Sequence, residues 1–167
     1  MRVSGKKRND MSDSILGVAE RPRMFRDVLM VCTGNICRSP TAAAVLSKYA
    51  QAGTLSVDSA GTHALRGRGM CPVARDVLDS NGFAAHDHAA KSLDASLLRR
   101  ADLVLAMEAA QLQSIVSRFQ FTRGKVFLLS KWCGGEDIPD PYRMSRPAYE
   151  HVFKLIDTSV RKWLDYL

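Results

Sequence analysis

Three observations predict a three-layer α/β/α fold, with a four-stranded parallel sheet flanked by helices on both faces. Four short apolar runs, DVLMVC (27–32), TLSVDS (54–59), DLVLAM (102–107) and KVFLLS (125–130), have the length and composition of buried strands. Segments of helical periodicity separate them, and a strand–helix–strand order closes on a parallel sheet. At 167 residues and 46% hydrophobic, the chain can bury one sizeable core, and it carries no internal repeat or low-complexity tract.

Each element has a local reason. DVLMVC is apolar throughout, as suits a strand covered on both sides. Ser39 suits the N-cap of the first helix and Pro40 its first helical position, with Val45, Leu46 and Tyr49 following at helical spacing. The second strand, 54–59, is expected to end before Gly61. A helix is expected over 71–81, stopped by Asn81-Gly82. After a loop rich in His and Ala, SLDASLLRRA (92–101) reads as a short helix, then the third strand and a helix over 108–118. A fourth strand precedes a long final helix over 147–167, with Phe153, Ile156, Val160, Trp163 and Leu167 on one face.

Residues 1–25 hold six Lys/Arg against three Asp/Glu, so +3 of the net +7 sits in this segment. Its MRVSGKKRND start has too few large apolar side chains to fold alone, and a disordered basic extension is expected over 1–25, with Met11 and Met24 as alternative starts. A single domain then occupies 26–167. The longest apolar runs, such as LVLAM (103–107), cannot span a membrane, and ILGVA (15–19) is too short for a secretory signal. A cytoplasmic protein without membrane insertion is therefore expected. Four cysteines, Cys32, Cys37, Cys71 and Cys133, show neither CxxC nor Cys/His spacing, so no metal site and no disulfide framework are expected. Basic residues do not interleave with aromatics, which argues against nucleic acid; the positive balance suits an acidic or phosphorylated partner.

Chemistry concentrates in VCTGNICRSP (31–40). Cys32 falls at the carboxyl end of the first strand, the edge where open α/β sheets bind ligands. Six residues must then loop tightly into a helix, and Gly34 and Asn35 are types that tolerate positive φ. Such a turn aims backbone N–H groups inward, and Arg38 adds a planar fork for two oxygens of a tetrahedral anion. N–H dipoles and a cation around a thiol favour its thiolate form. Ser39 is placed to donate a further hydrogen bond to the sulfur. A thiolate beneath a bound phosphate is aligned to attack phosphorus and form a phosphocysteine. Set against this, a lone cysteine ending a strand is ordinarily a small core residue. The nucleotide loop GxxxxGK(S/T) is absent.

The leaving oxygen of a phosphate ester needs a proton. In DIPDPYR (137–143), Asp140 stands between two prolines that fix the backbone, and Tyr142 brings an aromatic ring beside it. Asp137 is the competing carboxylate, and an ordinary Asp-Pro turn is the plain alternative.

Taken together these motifs resemble the low-molecular-weight protein tyrosine phosphatases. VCTGNICRSP is close to that family's phosphate loop and DPY to its acid loop, 108 residues apart, with DSAG (58–61) and LVLAME (103–108) between them in the expected order. The resemblance covers roughly Arg26 to Leu167. It implies Cys32 as nucleophile, Arg38 as phosphate clamp, and Asp140 as general acid and then activator of the hydrolytic water. It implies a phosphate-binding loop of Thr33, Gly34, Asn35, Ile36, Cys37 and Arg38. Asn35, Ser39, Ser59 and His88 resemble the network that shapes this loop; His86 competes with His88, and Lys91 stands where an arginine is common. The resemblance also implies no cofactor and no metal, and a reversible disulfide between Cys32 and a redox partner, Cys37. Cys71 and Cys133 receive no role.

Leu65 stands where many members carry an aromatic wall residue, as in bacterial members linked to capsule and exopolysaccharide export, which share IPDPYRMS (138–145). Tyr142 is then the main wall of the substrate slot, with Leu65 opposite. Arg66 and Arg68 either meet acidic residues near a target tyrosine or belong to a solvated loop. The implied substrate is a phosphotyrosine protein, an autophosphorylating bacterial tyrosine kinase with a tyrosine-rich tail, and the implied state a monomer or weak dimer. Three alternatives stay open. An arsenate reductase of this fold needs further cysteines close together in sequence, a phosphoarginine phosphatase tends to carry Thr in place of Ile36, and a non-catalytic phosphotyrosine-binding module has no need of both Cys32 and Asp140.

Overall fold

The computed structural model describes residues 25–50, 53–85 and 87–167. The extension expected over 1–25 lies, Phe25 apart, outside the described residues, as does His86. Along the described chain run four strands, β1 (Asp27–Cys32), β2 (Ser56–Gly61), β3 (Leu103–Ala106) and β4 (Val126–Leu128). Among them lie the helices α1 (Arg38–Tyr49), α2 (Pro72–Ser80), α3 (Ala95–Arg100), α4 (Ala109–Arg118) and α5 (Arg146–Trp163).

The sheet order is β2-β1-β3-β4 and every pairing is parallel. From β1 the chain passes to one side to form β2, then returns to the other side for β3. The carboxyl end of β1 is therefore the switch point of the sheet, and Cys32 is its last residue.

Alternation along the strands sorts the core into two layers. Val28, Met30 and Cys32 of β1, with Leu103 and Leu105 of β3, face α1, α2 and α5. Leu29 and Val31, with Val104 and Val126, face Leu97 and Leu98 of α3 and Ile115 of α4. On α5, Tyr149, Val152, Phe153, Ile156, Val160 and Trp163 are buried at helical spacing. A fully buried side chain such as Ile156 contributes about 1.5–3 kcal/mol. The Trp163 indole N–H is satisfied by the Leu129 carbonyl at 2.8 Å.

Several boundaries differ from the sequence reading. Cys37, not Ser39, precedes the first turn of α1, and Pro40 is its third residue. The first-turn N–H groups have no intrahelical partner, so a proline there loses nothing, and Ser39 is free to turn its hydroxyl elsewhere. β2 starts at Ser56 and runs through Gly61, which pairs with Cys32 rather than stopping the strand. A Cβ on Gly61 would lie 2.5 Å from the Thr33 carbonyl oxygen, so the glycine is needed for close approach to the loop after β1. β4 is only three residues long, because 129–133 turn into a 3₁₀-helix. α5 likewise ends in a 3₁₀ turn at 164–166.

Candidate active site

Residues 33–37 carry the chain from the end of β1 into α1. Within this loop only Asn35 takes a left-handed conformation, at φ 55°. Gly34 does not, and a Cβ there would make only ordinary contacts with Ile36 and Leu65. Asn35 supplies the turn because its side chain is anchored on every side while its backbone tolerates the strain.

Asn35 is fully buried. Its Oδ1 accepts the Lys91 backbone N–H at 2.9 Å. A backbone N–H can only donate, so this bond fixes which way the amide faces. Its Nδ2 therefore donates to the hydroxyls of Ser39 and Ser59, each at 2.9 Å. The Asn35 carbonyl accepts from His88 Nε2 at 2.6 Å, which fixes the proton on that ring nitrogen. With its oxygen taken by the amide, the Ser39 hydroxyl has its own proton to give, and Cys32 Sγ lies 3.0 Å away, nearer than the alternative Ala60 carbonyl at 3.5 Å. The Asn35 N–H points at the same sulfur, at 3.3 Å. Two donors thus converge on Cys32, an arrangement that stabilises negative charge on sulfur.

Arg38 opens α1 and its guanidinium is buried. Nη1 donates to Glu108 Oε1 at 2.5 Å and to the Ile138 carbonyl at 2.9 Å, while Nη2 pairs with Asp140 Oδ2 at 2.8 Å. Glu108 follows β3, so the clamp is braced from the carboxyl end of the strand beside β1. The other Asp140 oxygen accepts the Tyr142 N–H at 3.2 Å, so its carboxyl group is held between Arg38 and its own turn. Asp137 does something else: its Oδ1 accepts the Ala109 N–H at 2.7 Å at the first turn of α4. Of the two carboxylates in DIPDPYR, Asp140 is the one at the site.

Cys32, Thr33, Gly34, Ile36, Cys37 and Arg38 line a cleft of about 200 Å³, together with His63, Leu65, Asp140 and Tyr142. Leu65 and Tyr142 are each 37% exposed, so their apolar faces are open to a flat ring entering the cleft. Arg66 and Arg68 are exposed, and Arg66 Nε donates to Ser92 at 2.6 Å. Among the described residues, no group of three or more His, Cys, Asp or Glu is arranged to hold a metal ion. No described helix is long and apolar enough to cross a membrane.

Cys37 is buried and all four cysteines are free. Cys71, given no role by the sequence reading, stands against it. The Cys71 N–H donates to the Ile36 carbonyl at 2.7 Å, and the Tyr149 hydroxyl lies 3.4 Å from its sulfur. Cys133 is exposed.

Sequence reasoning did not assign Glu108, Gln111, the Ile138 carbonyl or the Lys91 N–H to the site. Gln111 joins Thr33 to Glu108, donating to both from Nε2 at 3.2 and 2.9 Å. For Glu108 a signal existed: it directly follows a parallel strand, at the sheet edge where Cys32 also sits.

A sequence model described as low molecular weight phosphotyrosine protein phosphatase matches residues 27–167. The low molecular weight protein-tyrosine-phosphatase Wzb of Salmonella typhimurium is 40% identical over 144 residues, which cover 86% of this chain and 95% of that protein. The structure of Vibrio vulnificus Wzb in complex with benzylphosphonate superposes with a TM-score of 0.81 at 36% identity, covering 86% of this chain and 99% of that one. The YwlE arginine phosphatase from Geobacillus stearothermophilus superposes with a TM-score of 0.74 at 32% identity, over 85% of this chain and 97% of that one.

Proposed function

The chain belongs to the low molecular weight phosphotyrosine protein phosphatase family and is a protein tyrosine phosphatase, and from this premise we propose a mechanism and a substrate. Cys32 is the nucleophile. Its sulfur, carrying the hydrogen bonds of Ser39 and Asn35, attacks phosphorus from the floor of the cleft while the phosphotyrosine ring lies between Leu65 and Tyr142. Arg38 and the loop N–H groups not directed at the sulfur hold the phosphoryl oxygens; Glu108 keeps the guanidinium plane fixed, so little reorganisation accompanies charge development. A phosphate dianion entering the cleft competes with Asp140 for Nη2 of Arg38. Once released from the cation, the Asp140 carboxylate takes up a proton from solvent and passes it to the phenolic oxygen as that oxygen leaves. In the second step the Asp140 carboxylate takes a proton from water, which attacks the phosphocysteine and returns Cys32. No metal or cofactor enters either step.

One observation carries this reading. Cys32 and Arg38, at the two ends of one loop, and Asp140, from a distant part of the chain, line one cleft, with the sulfur, the cation and the carboxyl group each held by its own partners. The substrate is the tyrosine-rich cytoplasmic tail of an autophosphorylating bacterial tyrosine kinase of capsule or exopolysaccharide production. The resemblance of IPDPYRMS and Leu65 to phosphatases of that kind supports it. The apolar Ile36 in the cleft lining favours an aromatic ring over the arginine chain that the name of the Geobacillus neighbour specifies. Phosphate release from a phosphotyrosyl peptide in EDTA tests the chemistry. The reduced protein is expected to turn over and Cys32→Ser is not. Release from phosphoarginine peptide alone would replace the tyrosine reading.

A further inference from the structure

Two helices begin beside the active site, and each is preceded by a cysteine: Cys37 before α1 and Cys71 before α2. The Cys71 N–H bonds the carbonyl of Ile36, the residue before Cys37, at 2.7 Å. Standard bond lengths then keep the two Cα atoms within about 7 Å, the outer limit that a disulfide spans. The two thiols are close enough to influence each other's ionisation, and Tyr149 of α5 closes the cluster with its hydroxyl 3.4 Å from Cys71 Sγ.

The thiols are not equivalent. Burial, then the facing Cys71, pushes the Cys37 thiol far above its ordinary range. Burial also raises Cys71, but the Tyr149 hydroxyl, the backbone of the first turn of α2 and the neighbouring Cys37 thiol outweigh it and carry this thiol below its ordinary value. Cys37 holds its proton; Cys71 is the better thiolate. Cys37 also lines the cleft, together with Cys32.

We infer that Cys71 is a second redox-active thiol, which takes a disulfide off the nucleophile and leaves it on the Cys37–Cys71 pair. The inference rests on the reading of Cys32 as nucleophile. With hydrogen peroxide as oxidant, the Cys32 thiolate becomes a sulfenic acid and the first water is released. The Cys37 thiol condenses with it: a Cys32–Cys37 bond forms and the sulfenic oxygen leaves as the second water. The Cys71 thiolate then attacks the Cys37 sulfur. The new S–S bond forms as the old one breaks, and its electron pair leaves on Cys32, where the Ser39 and Asn35 donors receive the thiolate. In sum, one hydrogen peroxide is reduced to two waters, Cys37 and Cys71 are oxidised, and Cys32 is returned ready for phosphoryl transfer.

The test treats the reduced full-length protein, Cys71→Ser and Cys71→Ala with one equivalent of hydrogen peroxide, blocks remaining thiols, and maps disulfides by peptide mass. Phosphate release from a phosphotyrosyl peptide is measured before and after. Before peroxide the three proteins are expected to turn over alike. Afterwards the wild type keeps most of its activity and carries Cys37–Cys71. Both variants carry Cys32–Cys37 and lose activity about tenfold or more, recovered with dithiothreitol. A wild type that ends as Cys32–Cys37 and loses activity as the variants do would overturn the inference. Cys32→Ser, oxidised with a diazene reagent and mapped in the same way, is expected to show Cys37–Cys71; absence of that bond overturns the pairing. The map needs no turnover, so a failure of the phosphatase reading is visible separately, as wild-type protein that releases no phosphate before peroxide is added.

Discussion

The Ser39 hydroxyl proton points at the Cys32 sulfur, 3.0 Å away, because the Ser39 oxygen is already occupied by the Asn35 amide. The amide is fixed in turn by the backbone of Lys91, so the direction of one proton at the sulfur is set 56 residues further along the chain. Removing the hydroxyl isolates its effect. A hydrogen bond to a charged group contributes about 1.5–3 kcal/mol, which corresponds to about 10–150-fold in rate. Ser39→Ala is therefore expected to lower kcat by about that factor with KM within about threefold, measured by steady-state phosphate release.

Glu108 braces Arg38 but lies outside the cleft lining. Its side chain is 31% exposed, so Glu108→Ala is expected to lose about 2 kcal/mol of stability, less than the 3–5 kcal/mol of a fully buried pair. The freed guanidinium no longer holds one plane. Inorganic phosphate is then expected to inhibit at least about tenfold more weakly, read from competitive inhibition curves, with stability read from urea unfolding.

Gly61 is held close to the loop by lack of a side chain. With a Cβ there at 2.5 Å from the Thr33 oxygen, 3.0 Å from the Asn35 Cβ and 3.1 Å from the Ala64 Cα, the loop must shift. Gly61→Ala is expected to cost about 1–3 kcal/mol and to reduce kcat/KM more than a stability change alone explains. Assay of the folded fraction at low temperature separates the two effects.

Asp102 ties down the start of β1 by accepting the N–H groups of Arg26 and Asp27, at 2.9 and 3.0 Å. These bonds, that from Arg26 first, hold its carboxyl group below the usual carboxylate range. The folded value is thus lower than the unfolded one of about 3.9, so the stabilisation is complete above about pH 4 and fades as pH falls through the folded value. Asp102→Asn is expected to unfold at lower urea concentration than wild type at neutral pH. The two curves should draw together as pH falls below about 4, and a gap that persists unchanged would contradict the assignment.

How much of this was legible in the sequence depends on the range of the cause. β1 and its terminal cysteine follow from a local apolar run, and the rigidity around Asp140 from its two prolines. Those signals lie within ten residues of the group they position. The partners that orient the site do not. The Lys91 N–H and the Ile138 carbonyl are backbone groups with no residue signature, and they meet Asn35 and Arg38 only through the folding of separate segments. The meeting of Cys37 and Cys71 was hidden for the same reason: 34 residues separate them in sequence, and one backbone hydrogen bond joins their neighbourhoods. Ser39 was misplaced as a helix cap because local preference for that position is strong, whereas its hydroxyl is engaged by sulfur and amide from the tertiary structure. Gly34 and Asn35 were read alike as types that tolerate positive φ, and of the two only Asn35 adopts it.

The central claim is that phosphate passes through the Cys32 sulfur. Rapid acid quenching during turnover of a phosphotyrosyl peptide, followed by peptide mapping of the phosphorylated protein, tests it directly. The predicted result is a thiophosphate on the peptide bearing Cys32, absent in Cys32→Ser and longer-lived in Asp140→Asn. Phosphate found on another residue, or full turnover in Cys32→Ser, would contradict it.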